Sequence, residues 1–173
     1  MIGIKNPSVA LGDELCGEVW FNELRISGID SKGGWAVVSS MDGNLAVVGS
    51  PLATGTEWAS GMVLVYRLVD EVWMRETELV ADDIDAGDMM GVCVDVSGNK
   101  VIAGAWFEDH AGSNSGAAYV FEYSNGKWSQ EAKLTAKDAS PEDSFGRKVA
   151  IVGDTCIVTA PLDDDNGATS GGA

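Results

Sequence analysis

A 55-residue period runs through most of this chain and constrains its fold more than any other feature. Residues 36–90 and 91–145 align without a gap, and residues 146–173 begin a third copy that stops about halfway. The paired positions include Gly43 with Gly98, Gly49 with Gly104, Gly61 with Gly116, Trp73 with Trp128, Glu76 with Glu131 and Asp88 with Asp143. Repeats of this length are single supersecondary units that bury their apolar face only against neighbouring units. The period therefore predicts a repeat architecture, counts against a single catalytic pocket, and leads us to expect a piece of a longer protein.

The composition indicates a globular and strongly acidic protein. Apolar residues make up 45% of the 173 residues, and 27 acidic residues against 11 basic ones give a net charge of −16. Nucleic-acid binding needs clustered Lys and Arg to neutralise phosphates, so no nucleic-acid partner is expected. The charge fits either a solvated acidic surface or sites for cations. No apolar run approaches the length of a membrane span, and the first residues lack the apolar core of a signal peptide.

The three cysteines predict neither a disulfide framework nor a zinc site. Cys16, Cys93 and Cys156 are few and widely separated, whereas both kinds of site need paired or clustered ligands. Cys93 and Cys156 fall within apolar strand patterns, which favours buried free thiols. The redox state of the three residues stays open.

The second copy of the repeat predicts four antiparallel strands. These strands are residues 92–96, 100–105, 116–123 and 128–135, which are rich in apolar, aromatic and β-branched side chains. Ser97-Gly98 and Asn125-Gly126 are typical of tight hairpin turns. No window shows sustained helical periodicity, so we expect no helix of three turns within residues 36–160.

The other copies repeat the pattern. The first predicts strands at residues 37–41, 45–50, 62–67 and 73–80, and the third at residues 148–152 and 155–160, before it enters a third strand at its end. Residues 18–27 are interpreted as one strand of a preceding unit, available to the partial unit. Four-stranded antiparallel units at this period are typical of β-propeller blades. We therefore predict an all-β partial β-propeller with a leading segment (1–35), two blades (36–90 and 91–145) and a partial third blade (146–173).

Several elements of the repeat resemble bacterial FG-GAP repeat proteins, which are related to the β-propeller of integrin α subunits. The Phe-Gly element is Phe145-Gly146, with Met90-Gly91 and Trp35-Ala36 at the equivalent positions. The Gly-Ala-Pro element appears with one substitution each time, as Gly49-Ser50-Pro51, Gly104-Ala105-Trp106 and Thr159-Ala160-Pro161. The resemblance covers about residues 36–173 and implies a propeller that acts in adhesion or ligand recognition at the cell surface.

The leading segment resembles a different family. Cys16-Gly17-Glu18-Val19-Trp20-Phe21-Asn22-Glu23-Leu24-Arg25-Ile26-Ser27, followed by Lys32-Gly33-Gly34-Trp35-Ala36, is similar to part of the giant outer-membrane translocon protein of type IX secretion and gliding motility. The two resemblances overlap near Trp35. A true fusion, convergence in composition and an artificial junction all remain open as explanations.

The third copy contains the best candidate for a metal site. Integrin-type blades often have a calcium loop between their first two strands, but here that connection is only a tight turn, so the family's site is not carried over. Acids cluster one loop later, where Asp163, Asp165 and Asn166 precede Gly167. Alternating oxygen ligands followed by Gly suit Ca²⁺, although the spacing is not that of an EF-hand. The alternatives are weak calcium binding and solvated turn acids.

Three further groups of residues are candidates for a functional role. His110 is the only histidine, and no Ser or Cys motif accompanies it, so a solvated loop residue is favoured over catalysis. The acids between the strands of adjacent units recur in each copy, which favours turn hydrogen bonds over a catalytic pair. Trp73 and Trp128 are in register and predict packing, whereas Trp58 and Trp106 lie near loops that can reach a ligand.

These features together predict a non-enzymatic repeat segment of a larger exported or cell-surface protein, with a protein or glycan ligand. A structural piece of an outer-membrane secretion or motility apparatus and an accessory domain of an extracellular enzyme are the alternatives. Because unpaired blades leave apolar faces and strand edges uncovered, we also expect either self-association or marginal stability.

Overall fold

The computed structural model describes residues 18–21, 24–27 and 38–164, and these contain twelve β-strands and no helix. The strands are β1 (Glu18–Phe21), β2 (Leu24–Ser27), β3 (Val38–Asp42), β4 (Leu45–Ser50), β5 (Met62–Val69), β6 (Val72–Leu79), β7 (Cys93–Ser97), β8 (Lys100–Ala105), β9 (Ala117–Ser124), β10 (Lys127–Leu134), β11 (Lys148–Val152) and β12 (Thr155–Thr159). The predicted all-β class is confirmed. With no helix in the described residues, none there is long and apolar enough to cross a membrane.

The described strands form four separate antiparallel sheets. Two of them are four-stranded, with the orders β3-β4-β5-β6 and β7-β8-β9-β10, and β11 pairs with β12 in a third. We call these unit 1, unit 2 and unit 3, and each four-stranded unit is an up-and-down meander, as expected for a propeller blade. The ten complete strands predicted from residue 37 onward are confirmed, with ends shifted by at most two residues. The third strand predicted to begin at Gly172 lies outside the described residues.

The leading segment differs from its predicted form. The single strand predicted over residues 18–27 is instead a hairpin, in which β1 pairs with β2 from Glu18↔Ser27 to Phe21↔Leu24. Among the described residues this hairpin is a two-stranded sheet of its own. The strand of unit 3 that it was predicted to pair with lies outside the described residues, so its place as a fourth strand of that unit stays a prediction.

The hairpin turns follow from single residues that adopt positive φ. Asn125 and Gly126 have φ values of 51° and 81°, which is the type I′ geometry that connects two twisted strands with a two-residue loop. Gly43, Gly98 and Gly153 occupy the same repeat position between the first two strands of their units, with φ values of 57° to 59°. The turns therefore recur because the glycines recur.

The units pack face to face through apolar side chains. A cluster that includes Leu45, Val47 and Val65 of unit 1 meets Val101 and Tyr119 of unit 2, all nearly fully buried. A second cluster joins unit 2 to unit 3 in the same way. The first strands β3, β7 and β11 lie side by side, whereas β6 and β10 leave a groove between them. This wedge arrangement is the geometry of adjacent propeller blades.

Glycine permits close backbone contacts within and between units. Gly61 and Gly116 each form a parallel bridge with the last residue of their own unit, Met90 and Phe145. The next residue, Gly91, has φ of 91°, and a Cβ placed there would lie 2.6 Å from the carbonyl oxygen of Met62. A side chain is therefore excluded by both backbone conformation and space.

The two outer faces of the stack differ. On unit 1, the residues Ala46, Val48 and Leu64 of the outer face are fully buried. On unit 3, the expected uncovered apolar face is present, with Val152 79% exposed and Ile157 67% exposed.

Candidate functional site

The loops that join the strands at one end of units 1 and 2 form a continuous surface, which we call the loop face. It comprises residues 51–61, 80–92 and 106–116. The amide of Gly87 donates to the carbonyl of Trp58 at 3.0 Å, and the amide of Met89 donates to that of Ala59 at 3.2 Å. These bonds hold the first two loops together, and side chains connect them to the third.

Glu108 lies at the centre of the loop face and is completely buried. Its Oε1 accepts hydrogen bonds from Nζ of Lys133 at 3.0 Å and from the amide of His110 at 3.1 Å, and it also contacts Nδ1 of His110. The second oxygen, Oε2, is buried without a protein partner among the described residues. Lys133 also donates to Oδ2 of Asp83 in unit 1 at 2.6 Å. One lysine of unit 2 therefore links a carboxylate of its own unit to a carboxylate of unit 1.

Burial and charge shift the pKa values of this cluster. Burial lowers the pKa of Lys133, but its bonds to Asp83 and Glu108 outweigh this effect and leave the pKa above its usual value. Burial alone would raise the pKa of Asp83, yet the bond and the charge of Lys133 bring it below its usual value. The pKa of Tyr119 is raised by burial and then by the charges of Asp83 and Glu108. The cluster is therefore a link between units in which one cation is shared by two carboxylates.

The acids that recur between units form turn hydrogen bonds. Oδ2 of Asp88 accepts from the amide of Asp85 at 2.8 Å, and Oδ2 of Asp143 accepts from the amide of Ser140 at 2.6 Å. The two bonds occupy the same repeat position, and both aspartates are buried. The predicted turn role is confirmed for Asp88 and Asp143, and the recurrence needs no catalytic explanation.

Asp88 is buried next to other acids. Its pKa is raised to about 6, first by burial and then by the charges of Glu108, Asp109 and Asp85, against the opposing effect of the amide of Asp85. Its charge therefore changes close to neutral pH.

The candidate aromatic and histidine residues have different environments. The side chain of Trp58 is 74% exposed on the loop face, and His110 is 48% exposed beside Glu108. Trp106 is half-buried, with the guanidinium of Arg147 4.3 Å from its ring centre. Trp73 is buried within unit 1, as its register predicts. Of the two candidate ligand-contacting tryptophans, the structure therefore leaves Trp58 accessible and places Trp106 against unit 3.

The predicted metal ligands are only partly within the described residues. Asp163 is 7% exposed and occupies the same repeat position as Glu108 and as Ala53 of unit 1. Asp165 and Asn166 lie outside the described residues, so the calcium site stays a prediction. Within the described residues, no group of three or more His, Cys, Asp or Glu side chains is arranged to hold a metal ion.

Cys93 is buried and Cys156 is half-buried, and both are free thiols.

A groove of about 430 Å³ separates the outer strands of units 1 and 2. Trp128 spans it, because its Nε1 donates to Oε1 of Glu76 at 3.0 Å. Glu76 and Glu131, which align in the repeat, each lie at the unpaired position of a β-bulge in the fourth strand. A bulge redirects a side chain out of the regular pleat. Each glutamate bonds a cation of its own unit, Arg67 and Lys100 respectively.

The sequence did not predict the cluster of Glu108, Lys133 and Asp83. Glu108 is 25 residues from Lys133, and Lys133 is 50 residues from Asp83, so the pairing exists only after the units stack. The repeat did contain one signal. Unit 1 has the small apolar Ala53 where unit 2 has Glu108 and unit 3 has Asp163. An acid at a position that is apolar in another copy suggests burial, and buried acids are almost always paired.

The comparisons with known proteins agree with the repeat. The sequence model of the FG-GAP repeat matches residues 73–121 and 128–173. The two matched segments begin 55 residues apart, and together they cover more than half of the chain. No curated protein matches the chain. The match begins at Trp73, so the resemblance of the leading segment to the type IX translocon protein stays a prediction. The chain belongs to the FG-GAP repeat family.

Proposed function

We propose that this chain is a non-enzymatic recognition segment of a larger exported or cell-surface protein, and that its loop face contacts the ligand. The exposed side chain of Trp58 carries this proposal. Tryptophan is enriched among residues that dominate binding energy, because a large ring is ordered at a low cost in entropy. FG-GAP repeats are typical of extracellular and cell-surface proteins, which supports the proposed location.

The rigidity of the loop face also supports recognition. The loop of Trp58 is bonded to the following loop through backbone amides, and Thr56 donates to the carbonyl of Ile84 at 3.2 Å. A ring fixed on such a scaffold loses little freedom when it binds. Asp85 and Asp109 are exposed on the same face, which favours a ligand with cationic groups or with many hydroxyl groups.

The pairing of the ionisable groups on the loop face supports a non-enzymatic role. Glu108 and Lys133 are occupied by each other and are buried or half-buried. His110 contacts Glu108, and within the described residues no Ser or Cys lies in a hydrogen bond with it. An activated nucleophile requires such a pairing.

Immobilised protein should be tested against a glycan array and a panel of extracellular proteins. We expect binding to one ligand class, with affinity reduced at least roughly tenfold by Trp58→Ala. Met74→Ala is the matched control, because Met74 is 56% exposed on β6 and lies outside the loop face. Equal losses for the two variants, or no effect of Trp58→Ala, would contradict a ligand site on the loop face.

A further inference from the structure

The first strands of neighbouring units are joined by side chains rather than by a shared sheet. The amide of Gly98 in unit 2 donates to Oδ2 of Asp42 in unit 1 at 2.7 Å. At the same position one unit later, the amide of Gly153 donates to Oγ of Ser97 at 3.1 Å. The amide of Ile151 donates to Oδ2 of Asp95 at 2.8 Å. Each unit thus presents acceptors on the side that packs against the next unit, which we call its forward face.

Glycine forms the second part of the forward face. A Cβ on Gly49 would lie 2.0 Å from the carbonyl oxygen of Gly91 in the next unit. A Cβ on Gly104 would lie 1.9 Å from the carbonyl oxygen of Gly146. No side chain can occupy such a space without moving one unit away from the other. The two observations are independent, since one concerns hydrogen bonds and the other concerns space.

Unit 3 has neither feature. The positions that hold Asp95 and Ser97 in unit 2 hold Ala150 and Val152 in unit 3, and neither side chain can accept a hydrogen bond. The position of Gly49 and Gly104 holds Thr159. The burial of β11 alternates, with Lys148, Ala150 and Val152 exposed while Ile151 is buried against unit 2. The three exposed residues therefore point forward, as their counterparts do.

We propose that the forward face of unit 3 is closed to another repeat unit docked by the contacts that join units 1, 2 and 3. A unit placed there in the same way would leave the amides of its first strand without acceptors and would bring its Phe-Gly carbonyl against Cβ of Thr159. At the position of Ile151 the amide is half-buried, so the loss of its acceptor costs free energy there. The overlap at the position of Gly104 also prevents the same close approach. A partner of this face needs a different chemistry, with acceptors for Lys148 and an apolar side chain for Val152 and Ile157. A fourth position also differs, because Lys148 stands where unit 2 has Cys93, whose Sγ accepts from the amide of Val149 at 3.4 Å.

The test substitutes residues on the forward face of unit 2 with those at the same repeat positions of unit 3. The variant C93K/D95A/S97V/G104T gives unit 2 the residues that unit 3 has at these positions. We expect amide hydrogen exchange at Ile151 and Gly153, followed by NMR, to become at least roughly tenfold faster. The acceptors of both amides are lost, the Sγ of Cys93 that accepts from the amide of Val149 is lost with them, and the close approach is blocked. The amide of Gly98, which is held by Asp42, should stay protected and reports that units 1 and 2 remain folded.

Two further variants complete the test. The reverse graft K148C/A150D/V152S/T159G changes the same four positions of unit 3, and it should leave exchange at Ile151 and Gly153 unchanged. If the fourfold graft also speeds exchange at Gly98, the milder variant D95A/S97V tests the proposal instead. We expect it to speed amide hydrogen exchange at Ile151 and Gly153. Unchanged protection of Ile151 and Gly153 in D95A/S97V, or in a graft that keeps Gly98 protected, would overturn the proposal.

Discussion

The indole Nε1 of Trp128 in unit 2 donates a hydrogen bond to Oε1 of Glu76 in unit 1, across a distance of 3.0 Å. Both residues recur in the repeat, but the bond joins neighbouring units rather than residues of one unit. Arg67 holds the glutamate in place, with its Nε 2.5 Å from Oε2. This bond therefore connects the outer strands β6 of unit 1 and β10 of unit 2, which a groove otherwise separates.

We expect Trp128→Phe to lower the free energy of unfolding by about 1 kcal/mol, since it removes the hydrogen bond and keeps an aromatic ring. Urea unfolding of Trp128→Phe, Glu76→Gln and the double variant measures the coupling, which we expect to be about 0.5–1.5 kcal/mol. Ser129→Ala, an exposed neighbour, should have little effect. Strict additivity of the two changes would show that the bond adds no stability.

Alanine substitutions at three glycines distinguish the energetic cost of backbone strain from that of steric overlap. Gly43 has φ of 57° and nothing near its Cβ position, Gly49 has a close contact without positive φ, and Gly91 has both. We expect Gly43→Ala to destabilise by about 1–2 kcal/mol, and Gly91→Ala by more than 3 kcal/mol, since strain and overpacking add. Gly49→Ala should lie between them in urea unfolding. A ranking with Gly43→Ala as the most harmful change would refute the steric explanation.

Lys133 and Glu108 form a buried pair that is costly to break from one side. We expect Lys133→Met to destabilise by about 3 kcal/mol, because it leaves a buried carboxylate without its cation. The double variant Lys133→Met with Glu108→Ala should recover much of that loss, since unit 1 already has Ala53 at the position of Glu108. Chemical unfolding of both variants measures the difference. If the double variant is less stable than Lys133→Met alone, the carboxylate has a favourable role beyond this pair.

The strands were predictable because each unit encodes them locally. Residues 45–50 and 101–105 are buried on both faces, and both stretches of the sequence are uninterrupted runs of small and apolar residues. The turn role of Asp88 and Asp143 was also local, since each bonds an amide three residues away. Patterns of this kind are complete within a few residues, so the sequence alone was sufficient.

Contacts between units could not be predicted in this way. The bond of Lys133 to Asp83 spans 50 residues, and no other copy repeats it, so the period gave no indication. The β1–β2 hairpin was missed for a local reason. Residues 18–27 contain neither Gly nor Pro, and these are the residues that most clearly mark a turn.

Asp88 should give the stability a measurable pH dependence. Its pKa in the folded protein is about 6, above the usual 3.8, so the folded state binds this proton more tightly than the unfolded state. The ionised form therefore lowers stability above about pH 6, and protonation between about pH 6 and 4 relieves that cost. Asp88→Asn keeps an oxygen acceptor for Asp85 and removes the titration.

We expect the melting temperature of Asp88→Asn, relative to the unchanged protein, to be higher at about pH 7.5 than at about pH 5. Differential scanning calorimetry at both values gives the difference directly. If the difference in melting temperature between the two proteins is the same at both pH values, Asp88 does not titrate in this range. Asp88→Ala, which also removes the acceptor, should be less stable than Asp88→Asn at both pH values.

The exposed side chains of Val152 and Ile157 should make the protein self-associate. They are 79% and 67% exposed on adjacent strands of unit 3, and burial of such surface favours association. The net charge of −16 opposes contact between copies, so added salt should strengthen association by screening the repulsion. Light scattering after size exclusion should give a mass above the 18.1 kDa of one chain, rising with salt. Val152→Ser with Ile157→Thr keeps a β-branched residue at position 157 and should return the protein to a monomer. A monodisperse monomer at all salt concentrations, with a sharp melt at high temperature, would show that the exposed face of unit 3 is stable without a partner.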